Sequence, residues 1–151
     1  MKKKVLYYTG SLASGGAERQ LIYTAIAAKK CGYDVKIVVD DPTCHYLDMI
    51  SGSEIEVRCT HSTRFSPLKR WIALSRIIRD FRPDILHSFL ATKNLWGMAL
   101  AKFHSVPVKI ASVRNTNSKE FTGIRLYQKW ADKIICNTQL AREIASKEYG
   151  V

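Results

Sequence analysis

Val5-Leu6-Tyr7-Tyr8-Thr9-Gly10-Ser11-Leu12-Ala13-Ser14-Gly15-Gly16-Ala17-Glu18-Arg19-Gln20 is an apolar run that passes through a turn of small residues into a helix. Val5 to Tyr8 has the β-branched and aromatic content of a strand. From Gly16 an amphipathic helix is expected to reach Lys30. Two glycines at such a junction leave room for a ligand against the backbone, because neither has a Cβ. The first turn of the helix adds unpaired N–H donors and a partial positive charge, which suit a phosphate. The spacing is not G-x-G-x-x-G, and no Gly-Lys-Ser/Thr follows, so neither the dinucleotide fingerprint nor the P-loop is present. A tight turn with a helix start remains the plain alternative.

The same strand-then-helix pattern repeats to the end of the chain. Strands are expected over 4–9, 34–39, 54–59, 85–89, 108–113 and 133–136. Helices are expected over 16–30, 67–81, 91–104, 124–131 and 138–149, with a short one near 46–50. Gly32 and Gly150 are placed to cap helices in the left-handed region. Ser66 and Pro67 read as N-cap and first helical residue, and Arg82-Pro83 as the stop of the same helix. Alternation of this kind, with strands apolar on both faces, implies a parallel sheet covered by helices. The fold class read from the chain is α/β, a Rossmann-like doubly wound parallel sheet.

The 151 residues, 46% of them hydrophobic, suit one domain with a sizeable core. No apolar run is long enough to span a bilayer. Met1-Lys2-Lys3-Lys4 leads into a strand rather than a signal peptide. Cys31, Cys44, Cys59 and Cys136 are scattered, with no metal-ligand spacing. They read as reduced thiols of a cytoplasmic, metal-free protein. A net charge of +11 favours anionic partners, namely nucleic acid, acidic lipid or phosphorylated small molecules.

In an open α/β sheet, ligands bind beyond the carboxyl ends of the strands. The candidate rim is therefore Gly10 to Gly16, Asp40-Asp41, Thr60-His61-Ser62, His87-Ser88-Phe89, Arg114 to Asn117 and Asn137-Thr138. It is polar and rich in small residues, as a sugar or phosphate site requires. Strand ends are also polar simply because they meet water.

Four blocks together resemble the N-terminal half of a family 4 glycosyltransferase with the GT-B fold. They are Gly15-Gly16-Ala17-Glu18-Arg19 with Cys31 to Val38; Arg82-Pro83-Asp84-Ile85-Leu86-His87-Ser88-Phe89-Leu90 with Asn94 to Ala99; Ser112-Val113-Arg114-Asn115; and Ala131-Asp132-Lys133-Ile134-Ile135-Cys136-Asn137-Thr138 with Tyr149-Gly150-Val151. The resemblance implies a retaining, metal-independent transfer from a nucleotide-sugar donor, itself a substrate, with no cofactor. It places Gly15 and Gly16 by the donor diphosphate and sugar, and Ser88, Asn94, Arg114 and Asn115 on the acceptor side of the cleft. The chain departs from the family at Phe89 and Thr92, where relatives carry histidines, so no catalytic residue is assigned. His87 reads as a structural hydrogen-bonding residue. The donor-binding C-terminal half, with its paired glutamates, is not in the sequence, and these residues alone are expected to be inactive. The implied setting is cell-envelope polysaccharide or glycoconjugate synthesis on a glycan, lipid-linked or small-molecule acceptor. A non-catalytic subunit of a split transferase is the alternative. A basic nucleic-acid-binding domain is a weaker one, because no helix-turn-helix, zinc spacing or RNP-like strand accompanies the charge.

The helix 67–81 carries Lys69, Arg70, Arg76 and Arg79 beside an apolar stripe of Leu68, Trp71, Ile72, Ile78 and Phe81. A basic amphipathic helix of this composition can rest on an anionic membrane on the cytoplasmic side. It can equally cover the sheet with its stripe in the core, and the spacing favours that second arrangement.

Overall fold

The structure is a computed structural model and describes residues 2–61, 66–114, 121 and 123–151. In chain order the elements are β1 Lys4–Thr9, α1 Gly16–Lys30, β2 Asp34–Val39, α2 Leu47–Ile50, β3 Glu56–Cys59 and α3 Pro67–Phe81. They continue with β4 Ile85–Phe89, α4 Ala91–Phe103, β5 Val108–Val113, α5 Ile124–Tyr127, β6 Lys133–Cys136 and α6 Gln139–Tyr149. The strands form one parallel sheet in the order β3-β2-β1-β4-β5-β6. Tyr8 at the centre pairs with Val38 on one side and Ser88 on the other. The order reverses between β1 and β4, and that switch point fixes where a ligand crevice opens.

Side chains alternate along each strand, so each face has its own core. Leu6 and Tyr8 face a core with Val38, Leu86, Ala111 and Val113, closed by residues of α3, α4, α5 and α6. Val5 and Tyr7 face the other with Val35, Ile37, Val39 and Phe89, closed by α1 and α2. Each large apolar side chain buried in this way contributes about 1.5–3 kcal/mol. On the first face α4 lies unusually close to the sheet at Gly97. A Cβ there would stand 2.9 Å from the Cβ of Ser88 and 3.3 Å from the Tyr8 ring. Only glycine fits without displacing the neighbours.

Helix ends follow the sequence in most places. Gly32 and Gly150 have φ of 89° and 72°, the left-handed stop expected of them. Thr138 caps α6 by accepting from the Ala141 N–H at 3.1 Å. Pro67 opens α3, but Ser66 makes no side-chain capping bond. Four expected elements are shorter than read, among them α6, which begins at Gln139 after its cap Thr138. β3 begins at Glu56 because Glu54 has φ of 54°. α4 ends at Phe103. α5 ends at Tyr127, where tight turns carry the chain to β6.

The larger correction concerns α3. Ile78 and Phe81 are buried as expected, but Leu68 is 69% and Ile72 49% exposed. The inward face is instead Arg70, Leu74, Ile78 and Phe81, spaced at helical intervals of four, four and three. A stripe containing an arginine reads as solvent-facing until the partner of the arginine is known.

Candidate functional site

At the end of β1 the chain turns through Gly10 and enters α1 at Gly15. Gly15 has extended φ and ψ, and no side chain caps the helix. The hydroxyl of Tyr46 accepts from the Gly15 N–H at 3.2 Å and donates to the Gly15 carbonyl at 3.1 Å. A Cβ on Gly15 would collide with the Glu18 carboxylate, whereas one on Gly16 would meet nothing within 4 Å among the described residues. Among the described residues, Gly16 therefore has no neighbour at a helix start, the place where backbone N–H groups and the helix dipole favour an anion.

The end of β4 is built in the opposite way. The Ser88 hydroxyl donates to the Asn94 side-chain oxygen at 2.8 Å, and the Asn94 amide donates to the Ser112 carbonyl at 2.9 Å. Both side chains are fully buried. Together they tie β4, α4 and β5 into one unit beneath the rim. Leu90, between β4 and α4, has φ of 75° and ψ of 146°, a region that favours glycine. Its carbonyl accepts from the Asn94 N–H at 2.8 Å.

Beside that turn stands a buried ionic cluster. The Asp40 carboxylate, just past β2, accepts from the Tyr8 hydroxyl at 3.1 Å, the Thr60 hydroxyl at 2.8 Å and the Arg70 Nε at 2.8 Å. Lys93, in the first turn of α4, donates to the same carboxylate. Arg70 lies with its guanidinium 5.6 Å from the Trp96 ring centre. Burial and the Asp40 charge push the Tyr8 hydroxyl well above its ordinary pKa, so it stays a donor. One carboxylate thus gathers β1, β2, the end of β3, α3 and α4 at the switch point.

On the other face of the sheet, Arg114 follows β5. Its Nη1 donates to the Gln20 side-chain oxygen at 2.6 Å, and its guanidinium sits 4.9 Å from the centre of the Phe89 ring. Gln20 is one turn into α1, so Arg114 is fixed against the helix that Gly16 opens. The Asn137 amide donates to the Arg114 carbonyl at 2.9 Å. His87 is buried, 2.8 Å from the Ser112 hydroxyl through Nε2 and 4.4 Å from the Phe89 ring. Burial first, then the nearby Arg114 charge, lower its pKa to about 4, so it is neutral at physiological pH.

The model of Glycosyltransferase Family 4 matches residues 14–151. The chain belongs to glycosyltransferase family 4. No curated protein matches this family 4 chain. Among solved structures it is similar to a glycosyltransferase from Rickettsia africae, with a TM-score of 0.74, 20% identity, and coverage of 99% of this chain and 40% of the other. MurG of Acinetobacter baumannii gives a TM-score of 0.71 at 14% identity, over 91% of this chain and 42% of MurG. Anabaena HepE, solved with UDP and glucose, gives 0.72 at 13% identity, over 93% and 39%. At these identities the likeness establishes the fold, a Rossmann-like sheet of the kind found in the N-terminal half of GT-B proteins. The family 4 chain spans about two fifths of the length of these structures.

Of the residues expected at the site, Gly15 and Gly16 open α1, and Arg114 bonds to Gln20 one turn further along the same helix. Ser88 and Asn94 lie under the rim, bonded to each other, and present no surface to a ligand. Asn115 lies outside the described residues. The joining of Asp40 to Arg70 and Lys93 was not readable beforehand. An acidic residue at the end of β2 was in the candidate rim, but nothing local to it names an arginine thirty positions away.

Proposed function

We propose that this family 4 chain is the acceptor-side half of a glycosyltransferase. The enzyme would move a sugar, of hexose type, from a nucleotide-sugar onto a glycan, lipid-linked or small-molecule acceptor. Cell-envelope polysaccharide or glycoconjugate synthesis on the cytoplasmic side is the setting. The observation that carries the reading is the family match over 14–151, laid on a switch point whose α1 turn is open at Gly16. HepE, of the same fold, was solved with UDP and glucose, which supports a nucleotide-sugar as donor.

In this reading the N–H groups at the start of α1 receive the donor diphosphate, and Arg114, held by Gln20 and Phe89, adds positive charge on the same side. Ser88, Asn94 and the Asp40 cluster hold β4, α4 and the switch point rigid. No side chain of the chain is assigned to proton transfer, and the transfer is proposed to need no metal or cofactor. The nucleotide is bound by a second half, supplied in the same polypeptide or by a partner subunit. The test is transfer of labelled sugar from a panel of nucleotide-sugars to lipid and glycan extracts by the full open reading frame containing these residues. Incorporation of label with release of nucleoside diphosphate is expected, and none from residues 1–151 alone. Hydrolysis or epimerisation of the nucleotide-sugar without transfer would overturn the proposal.

A further inference from the structure

The turn that opens α1 does not stand alone. The stretch from Asp40 to Tyr46, between β2 and α2, runs beside it and is bonded to it in three places. The Gly10 carbonyl accepts from the Asp40 and Asp41 N–H groups at 3.0 and 2.9 Å. The Leu12 N–H donates to the Thr43 carbonyl at 3.0 Å, and the Leu12 carbonyl accepts from the His45 N–H at 2.8 Å. Tyr46 closes the row, because its hydroxyl accepts from the Gly15 N–H and donates to the Gly15 carbonyl. One side-chain oxygen therefore grips both peptide planes that flank Gly15. A phenol can do this because it donates and accepts at once. The ring behind it is half-buried in the core under α1 and α2, so the hydroxyl is delivered from an anchored side chain.

The two glycines give that grip a consequence. Gly15 and Gly16 in succession are conformationally permissive, and an unheld pair would wander among many backbone states. In a trans peptide the carbonyl and the following N–H point to opposite sides of one plane. The Gly15 carbonyl points along α1, where it also accepts from the Arg19 N–H at 3.0 Å. The Gly16 N–H of the same plane is thereby aimed out of the helix start. The Ala17 and Glu18 N–H groups follow it, as donors that the helical ladder does not use. We propose that Tyr46 is a positioning residue for the donor. Its hydroxyl fixes the Gly15–Gly16 peptide so that the first N–H groups of α1 already face the diphosphate when it arrives. Tyr46 touches no reacting atom and moves no proton. It lowers the ordering that binding would otherwise demand of the turn. This role rests on the proposed seating of the donor diphosphate at α1.

The test compares the 151-residue chain with Tyr46→Phe, which keeps the packed ring and removes the hydroxyl. Tyr33→Phe makes the same change in the same core, past the far end of α1, and serves as the control. Hydrogen exchange at the Gly15 amide, followed by NMR, should quicken about tenfold in Tyr46→Phe and stay unchanged in Tyr33→Phe. Inorganic pyrophosphate should shift the Gly16 and Ala17 amide resonances of the wild type. It should bind Tyr46→Phe about threefold to tenfold more weakly, and Tyr33→Phe as it binds the wild type. One measurement needs no variant and holds even if Tyr46→Phe fails to fold. Pyrophosphate should slow Gly15 exchange in the wild type, because the anion and the clamp favour the same turn. Unchanged Gly15 exchange in Tyr46→Phe overturns the proposal. So does pyrophosphate binding that is undetectable in the wild type, unaltered in Tyr46→Phe, or weakened equally in Tyr33→Phe, and so does wild-type Gly15 exchange that pyrophosphate leaves unslowed. In the full open reading frame, sugar transfer with the same donor KM and kcat in Tyr46→Phe as in the wild type overturns the positioning and leaves the transferase reading standing. No transfer by the wild type, with pyrophosphate binding weakened by Tyr46→Phe, overturns the transferase reading and leaves the anion-positioning role of Tyr46 intact.

Discussion

The two helices that start at the switch point, α1 and α4, are reached by the same kind of strand-to-helix turn and are built on opposite principles. α1 opens on two glycines and, among the described residues, has no side-chain cap and no neighbour within 4 Å of a Cβ on Gly16. α4 opens on a strained leucine and is braced from every side. Lys93 binds Asp40, Asn94 binds Ser88 and Ser112, and Gly97 lets the helix touch the sheet. The difference teaches how the two sides of the switch point are held. The α4 side is a wall of buried polar bonds, and the α1 side is, in the proposed function, the seat of a phosphate on backbone N–H groups. If this division is right, substitutions at the α4 side should cost stability, and substitutions at the α1 side should cost binding.

The largest effect is expected at Asp40. Asp40→Ala removes the carboxylate shared by Arg70 and Lys93 and leaves the Arg70 charge buried without its counter-ion. Breaking a buried pair in this way costs about 3–5 kcal/mol. Urea unfolding of the two proteins measures it directly. A loss below about 1 kcal/mol would mean that water or a neighbour replaces the carboxylate, and that the wall is not held from this point.

A smaller effect, confined to acid, tests the brace on the α1-facing side of β4. His87 has a folded pKa of about 4 against an ordinary 6.5. Between those values the unfolded chain takes up the proton before the folded one does. Stability therefore falls as pH drops from about 6.5 towards about 4, and this contribution levels off below that. Its full size is at most about 3 kcal/mol. His87→Gln should flatten the pH dependence over that window, whatever its effect at neutral pH. Parallel curves for the two proteins would place the acid sensitivity elsewhere.

How much of this was legible in the sequence differs between the same two regions. The α1 turn could be read directly, because glycine at a strand-to-helix junction has a local meaning. The order of strands and helices, and the caps at Gly32 and Gly150, were legible for the same reason. The α4 wall was not. Ser88 and Asn94 look like polar rim residues, and only the fold shows that six residues of separation close them on each other, out of contact with water. Arg70 looks like a solvated charge on a basic helix, and only Asp40, thirty residues earlier, turns it inward. With Arg70 turned inward, the buried face of α3 is not the one its apolar pattern predicts, and Leu68 and Ile72 lie outside. Local chemistry was readable, but bonds between distant polar residues were not.

The smallest expected change in stability is the one that separates the two helices most sharply. Gly16 has no positive φ, and a methyl group on it would meet nothing within 4 Å among the described residues. Gly16→Ala in the free domain should therefore leave stability unchanged, or raise it by up to about 0.5 kcal/mol, because alanine restricts the unfolded chain and favours the helix. In the full protein the same methyl group would stand where the donor diphosphate approaches the N–H groups of α1. Sugar transfer and nucleotide-sugar affinity should then fall about tenfold or more while the melting temperature does not. Gly97→Ala is the mirror case, with a melting temperature lowered by overpacking against Ser88 and Tyr8 and no separate loss of affinity. If Gly16→Ala is silent in both measurements, the glycine pair is only a turn. The open side of the crevice would then need another anchor, and Arg114, held against α1 by Gln20, is the group on that side with the charge to provide it.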